Sequence, residues 1–232
     1  MRNKQKEIIF TNISDLDLTP PHPAINDLPD WYVNQPPYLN NQKFPFLGQN
    51  TTNATVKKCV PVFDAMSLGY ILCTPVDIWV TRENGIIFYN WKAYTAVQTQ
   101  SIDQAPTHPA SKNYGQDIPK IMNSWSIKTP KGYSCLFLSP MHRDNVFTIL
   151  PGVVDTDSYN APINFPFVLS DISFEGLVPA GTPVVQILPF KRENWVSKTT
   201  AETDKIFKQM ATLDTAFYNG YRRSFWKRKK FK

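Results

Sequence analysis

The stretch "LPGVVDTDSYNAPINF", residues 150–165, has the grammar of strand, turn and strand. Pro151-Gly152 opens a short apolar run, Val153-Val154. "DTDSYN" follows, and Asp, Ser and Asn side chains there can hydrogen-bond their own backbone in a turn. A second apolar run, "INFPFVLS", comes after Pro162. Runs this short, broken by proline, belong to a sheet rather than a helix. Asp155 and Asp157 stand two apart and face the same side if the chain stays extended. Two chemical readings are open: a water-activating carboxylate, or a polar β-turn.

The flanking sequence repeats the pattern. Residues 121–190 contain "SWSIKTPKGYSCLFLSP", "NVFTILPGVV" and "ISFEGLVPAGTPVVQILPF", with turn signals at short intervals. Upstream, "VDIWVT" and "GIIFYNW" flank "RENG", where Asn84-Gly85 marks a hairpin. Residues 101–120 read as a polar loop. Twenty prolines against nine glycines also disfavour a helical bundle. The expectation is a mainly β fold, a barrel or sandwich, over 56–190.

The two ends differ from this core. Residues 1–55 read as an arm packed on it. "KEIIF" is a strand candidate and "LPDWY" a short turn, among prolines that bias the chain away from helix. Residues 191–232 read as a C-terminal helix and tail. Thr199 and Glu202 form a capping box for a helix over 199–226. Ile206, Met210, Leu213, Phe217, Tyr221 and Phe225 make one apolar stripe, which predicts packing against another surface. The last eleven residues, "RRSFWKRKKFK", hold seven basic side chains and no acid. The net charge of +6 therefore sits in the tail, and the rest of the chain is close to neutral. Arg222, Arg223, Lys227, Arg228, Lys229 and Lys230 are the candidate contacts to a polyanion, either nucleic acid or an acidic protein surface. An anionic membrane face, met through Phe225, Trp226 and Phe231, is the other reading of the same letters.

Three cysteines without a Cys-x-x-Cys spacing suggest buried thiols in a reducing compartment. No run resembles a signal peptide or a transmembrane segment, so a cytoplasmic location is expected, the host cytoplasm or a virion if the chain is phage-encoded. No metal site is expected. The scattered cysteines and histidines lack zinc spacing, and the His142-x-Asp144 pattern lacks the second downstream histidine that an iron site needs.

Residues 129–190 resemble the trimeric dUTPase and dCTP deaminase superfamily, the β-clip fold. "TPKGYSCLFLSP" is similar to the strand leading into that family's second motif, "PGVVDTDSY" to its third, and "LVPAGTPVVQILPF" to its fourth. "VFDAMSLGYIL" lies at the position of the first, with little likeness in its letters. The resemblance implies Asp155 as the base that orients and deprotonates a water. It implies a nucleotide held by Tyr159, Gln186, Arg143 and Asp157, a Mg²⁺ carried on the phosphates, and a homo-trimer. The departures fall on the phosphate-handling parts. The family's Asp-x-Asp-Tyr is Asp-Thr-Asp-Ser-Tyr here, and one added residue in an extended strand turns Tyr159 to the other face. "SPMHRDN" stands where the serine-glycine phosphate turn is expected, and no glycine-rich C-terminal arm follows. The whole chain also resembles an uncharacterised family of bacteria and tailed phages, with "LPDW", "PVFDAMSLGY", "GVVDTDSY" and "PAGTPVVQ" in the same order and a basic C-terminus. These features lead to a non-catalytic or diverged dUTPase-like phage or bacterial protein with a nucleotide-binding or assembly role. The alternatives are a dUTPase-type pyrophosphohydrolase using Asp155 and Mg²⁺, and a virion or other interaction protein with a polyanion-binding tail.

Overall fold

The computed structural model describes residues 6–39, 53–104, 108, 117–201, 203–215 and 220–232. The chain divides into two compact units, Met1–Pro23 with Gly69–Arg192, and Ala24–Leu68 with Glu193–Lys232. These bounds differ from the expected 1–55, 56–190 and 191–232. Residues 24–39 and 53–68 fold with the C-terminal segment, and only the first part of the arm joins the β unit.

The first unit carries every described strand. These are β1 (Ile9–Asn12), β2 (His22–Pro23), β3 (Tyr70–Cys73), β4 (Ile78–Glu83), β5 (Ile86–Asn90), β6 (Val97–Gln100) and β7 (Ile118–Ile121). There follow β8 (Trp125–Lys128), β9 (Tyr133–Leu138), β10 (Phe147–Ile149), β11 (Gly152–Val154), β12 (Phe165–Leu169), β13 (Gly176–Val178) and β14 (Pro183–Lys191). They form antiparallel sheets in the orders β11-β9-β14-β3-β2, β10-β12-β7-β6, β13-β4-β5 and β1-β8. The architecture is thus mainly β, as expected, and no barrel closes among the described residues.

Local chemistry explains the elements. Asn84 (φ 49°) and Gly85 (φ 80°) both take positive φ, the geometry of a two-residue hairpin turn, and Glu83 pairs with Ile86 across it. β14 lies between β9 and β3, so Val184, Val185, Gln186 and Ile187 are all buried rather than alternating. Phe147 and Phe167, both buried, meet at 4.5 Å between ring centroids, and Tyr89 adds an edge contact to Phe167. Of the three cysteines only Cys135 is buried, and burial raises its thiol to about 11, which keeps it inert at neutral pH. Cys59 is exposed, against the expectation of buried thiols.

The second unit is helical. It contains 3-10 turns at Ala24–Asn26 and Val56–Lys58, and α1 (Asp30–Asn34), α2 (Val60–Ser67), α3 (Asp204–Thr215) and α4 (Gly220–Ser224). α1 is the "LPDWY" turn, and its buried Tyr32 stacks on Phe63 of α2 at 6.2 Å. Pro61 sits in the first turn of α2, where its missing N–H costs nothing. The single helix expected over 199–226 is corrected. Residues 192–201 are irregular and α3 begins at Asp204. Glu202, half of the expected capping box, lies outside the described residues. The described members of the stripe, Ile206, Met210, Tyr221 and Phe225, are exposed, as is Phe207 beside them. The side chains of Leu213 and Phe217 lie outside the described residues.

Two glycines separate conformational strain from steric strain. A Cβ on Gly69 (φ 74°) would lie 2.0 Å from the carbonyl oxygen of Ile187, whereas one on Gly85 meets nothing within 4 Å. Gly85→Ala is expected to cost about 1–2 kcal/mol, the strain of left-handed backbone alone. Gly69→Ala should cost on the order of 4 kcal/mol because backbone must move. Urea unfolding of both variants checks the ranking, and equal losses would contradict it.

Candidate functional site

The strand register builds the surroundings of the two aspartates. β11 pairs with β9 so that Val154 faces Cys135, which brings Asp155 beside Ser134 and the following turn beside Gly132. β14 pairs with the other edge of β9 and ends with Lys191 opposite Tyr133. Arg192 therefore emerges at the same place from the opposite side, and its N–H donates to Gly132 O at 2.9 Å.

The guanidinium of Arg192 then closes on both acids. Its Nη1 donates to Asp155 Oδ1 (3.1 Å), Asp157 Oδ1 (3.0 Å), Ser134 Oγ (2.9 Å) and Tyr133 O (3.0 Å). Its Nη2 donates to Asp157 Oδ2. Ser134 Oγ donates to Asp155 Oδ1 at 2.6 Å, and the Gly132 N–H donates to Asp157 Oδ2 at 2.8 Å. Thr156, between the acids, points inward. It is fully buried, meets Thr129 Oγ1 at 2.8 Å and donates to Cys135 Sγ at 3.3 Å. The Asp157 side chain is 8% exposed and that of Asp155 62%. The hydrogen bond from Arg192, then that from Gly132, lowers Asp157 to about 2. Such a carboxylate is a poor base at neutral pH. With a guanidinium bonded to both acids, the pair does not fit a divalent cation.

The other expected ligands stand on different elements. Gln186 is fully buried, and its Oε1 accepts the N–H of Met141 at 3.0 Å. It holds the β9–β10 loop that carries Arg143. That loop is also tied by Asn145, whose amide donates to Pro140 O at 2.9 Å and to Arg143 O at 3.3 Å. Tyr159 does not continue a strand. Its N–H donates to Asp155 O at 2.9 Å, so the added residue makes a turn and the expected flip of a strand face does not arise. Tyr159 is exposed. Arg192, Ser134 and Gly132 were not singled out from sequence. The signal for Arg192 was its place at the end of the one long strand, legible only with the register.

The second candidate lies within the helical unit. The C-terminal segment is anchored on Asp64 of α2. Trp226 Nε1 donates to both carboxylate oxygens (3.1 and 2.9 Å), and Lys229 Nζ to Oδ2 at 2.6 Å. Trp226 can only donate and needs an acceptor when half-buried. The guanidinium of Arg222 lies over the Trp226 ring, 5.7 Å from its centroid. Arg222, Arg223, Lys227, Arg228 and Lys230 are exposed. One carboxylate thus holds down a strongly cationic segment.

No family model matches the chain, and no curated protein matches its sequence. Among solved structures the chain is similar to a dUTPase mutant of Staphylococcus bacteriophage 80alpha bound to dUpNHpp, at 10% identity and a TM-score of 0.35, covering 85% of this chain and 90% of that one. It is similar also to a dUTPase mutant from phage phi11 of S. aureus described with a structural Mg(II) ion, at 11% identity and a TM-score of 0.34, covering 84% and 97%. A further phi11 dUTPase structure, described by its species-specific insert, matches at 11% identity and a TM-score of 0.33, over 85% and 98%.

The lowered Asp157 carboxyl fixes a sign for pH dependence. Its folded value of about 2 lies below the ordinary carboxylate value. Its contribution to stability is complete above about pH 5 and drains as pH falls toward 2. Wild type should therefore exceed Asp157→Asn in stability at pH 7, with the gap shrinking on acidification. Thermal melts of both proteins across pH check this, and a gap that stays constant or widens in acid would contradict it.

Proposed function

We propose that the protein is a non-catalytic interaction protein whose C-terminal segment binds a polyanion, with the β unit as a dUTPase-like scaffold of the β-clip kind. The observation that carries this reading is the anchoring of Trp226 and Lys229 on Asp64. It turns a basic tail into a placed cationic surface and leaves Arg222, Arg223, Lys227, Arg228 and Lys230 exposed. A polyanion gains from such a surface by releasing its condensed counterions. Phosphates of nucleic acid are the partner we favour, because aromatic rings interleave with the cations. No helix among the described residues is long and apolar enough to cross a membrane. Ile206, Phe207 and Met210, exposed together on α3, support an assembly role beside the anion contact, since a contiguous exposed apolar face marks an interaction surface. A homo-trimer is the assembly that the dUTPase resemblance implies.

Hydrolysis is the weaker reading. Asp155 is reachable by water, yet Oδ1 takes hydrogen bonds from both Ser134 and Arg192, and its partner Asp157 is neutralised by the same guanidinium. Phosphate release from dUTP with Mg²⁺, abolished by Asp155→Asn in a folded protein, would reinstate it.

Binding to duplex DNA should weaken with salt. The logarithmic slope is about −0.9 per phosphate neutralised. Arg222→Gln with Arg223→Gln should make that slope shallower by about one per cation removed. Fluorescence anisotropy over a salt series reads both quantities. No binding at low salt, or a slope unchanged in the double variant, would refute the assignment.

A further inference from the structure

The helical unit holds a cavity of about 270 Å³ against its basic segment. Three apolar side chains line it, Ile25, Phe63 and Phe231, together with four cations, Arg228, Lys229, Lys230 and Lys232, of which Lys229 is paired with Asp64. Ser67 adds a hydroxyl, which donates to Phe63 O at 2.8 Å. The volume is just under the range of small-molecule sites, roughly 300–1,000 Å³. It therefore suits one flat ring system rather than a large ligand. A second recess, of about 310 Å³, is lined by Lys58, Arg222, Arg223 and Trp226. Both recesses put aromatic surface and several cations in one place, and both are built on the same segment.

We propose that the cavity lined by Phe63, Ile25 and Phe231 receives an unpaired nucleobase, so that the segment prefers single-stranded to duplex nucleic acid. The inference rests on the polyanion reading and deepens it. The chemistry is that of stacking platforms in cationic grooves, where aromatic faces take bases and basic side chains take the adjacent phosphates. A base within a duplex has both faces covered by its neighbours and cannot enter a recess, whereas a single strand can present one. A membrane surface fits the geometry less well. It would need rings directed outward, but Trp226 is half-buried with its Nε1 on Asp64, and Phe231 is half-buried in the lining of the cavity.

The test uses the full chain and four probes: heparin, a single-stranded oligonucleotide, its duplex, and vesicles of phosphatidylcholine and phosphatidylserine. Wild type should bind the single strand at least about fivefold more tightly than the duplex, the equivalent of ~1 kcal/mol for one stacked base. Ser67→Phe fills the cavity without changing charge. It should remove that preference and leave heparin affinity and its salt slope intact. Phe231→Ala, less demanding on folding, should weaken single-strand binding at unchanged heparin affinity. Equal affinity for single strand and duplex, or a preference that survives both substitutions in folded protein, overturns the base site while heparin binding keeps the polyanion reading. Failure to bind heparin or either nucleic acid removes both. Tighter binding to the vesicles than to the oligonucleotides, with loss in Ser67→Phe, overturns the base site in favour of a lipid surface.

Discussion

A single carboxylate, Asp64, sets the character of the helical unit. The basic segment carries seven cations over eleven residues and no acid of its own. Left alone, such a run repels itself and stays solvated. Asp64 accepts from the one indole of the segment and from a lysine three positions later. An exposed ion pair by itself contributes little, ~0.2–1 kcal/mol. A hydrogen bond to a charged acceptor adds on the order of 1.5–3 kcal/mol. Together they suffice to place the segment while consuming one positive charge, so the surplus cations are held in place rather than quenched.

The acidic turn of the β unit shows the opposite use of charge. There the opposing charge is consumed locally. Asp155 and Asp157 meet Arg192, Ser134 and the Gly132 N–H where three strands come into register. Thr156 buries its hydroxyl among Thr129 and Cys135 below them. A turn braced in this way fixes the end of β14, which is a structural task. Two charged motifs of equal prominence in the sequence therefore separate by what faces them: one is closed on its own cation, the other keeps most of its cations exposed.

Much of the β unit was legible because its signals are local. The Asn84-Gly85 hairpin follows from two residues that tolerate positive φ, and the strands follow from short apolar runs between turn residues. α1 follows from the "LPDWY" stretch. The division into units was not legible, because it depends on residues 24–68 meeting residues 193–232 across the length of the chain. α2 hid in a β-like run, Val60-Pro61-Val62-Phe63, with Pro61 its one start signal. The stripe on α3 was legible as a stripe, but periodicity does not say whether anything covers it. Asp155 and Asp157 were legible as a pair. Their partner Arg192 was not, because only the strand register brings residues so distant in sequence together.

Limited trypsin digestion of wild type and Asp64→Ala tests the central claim most directly, since the segment is dense in Lys and Arg. The account predicts slow cleavage within 222–230 in wild type, rapid cleavage in the variant, and an otherwise intact β unit. Cleavage at the same rate in both proteins would show that Asp64 does not hold the segment, and the placed cationic surface would fall with it.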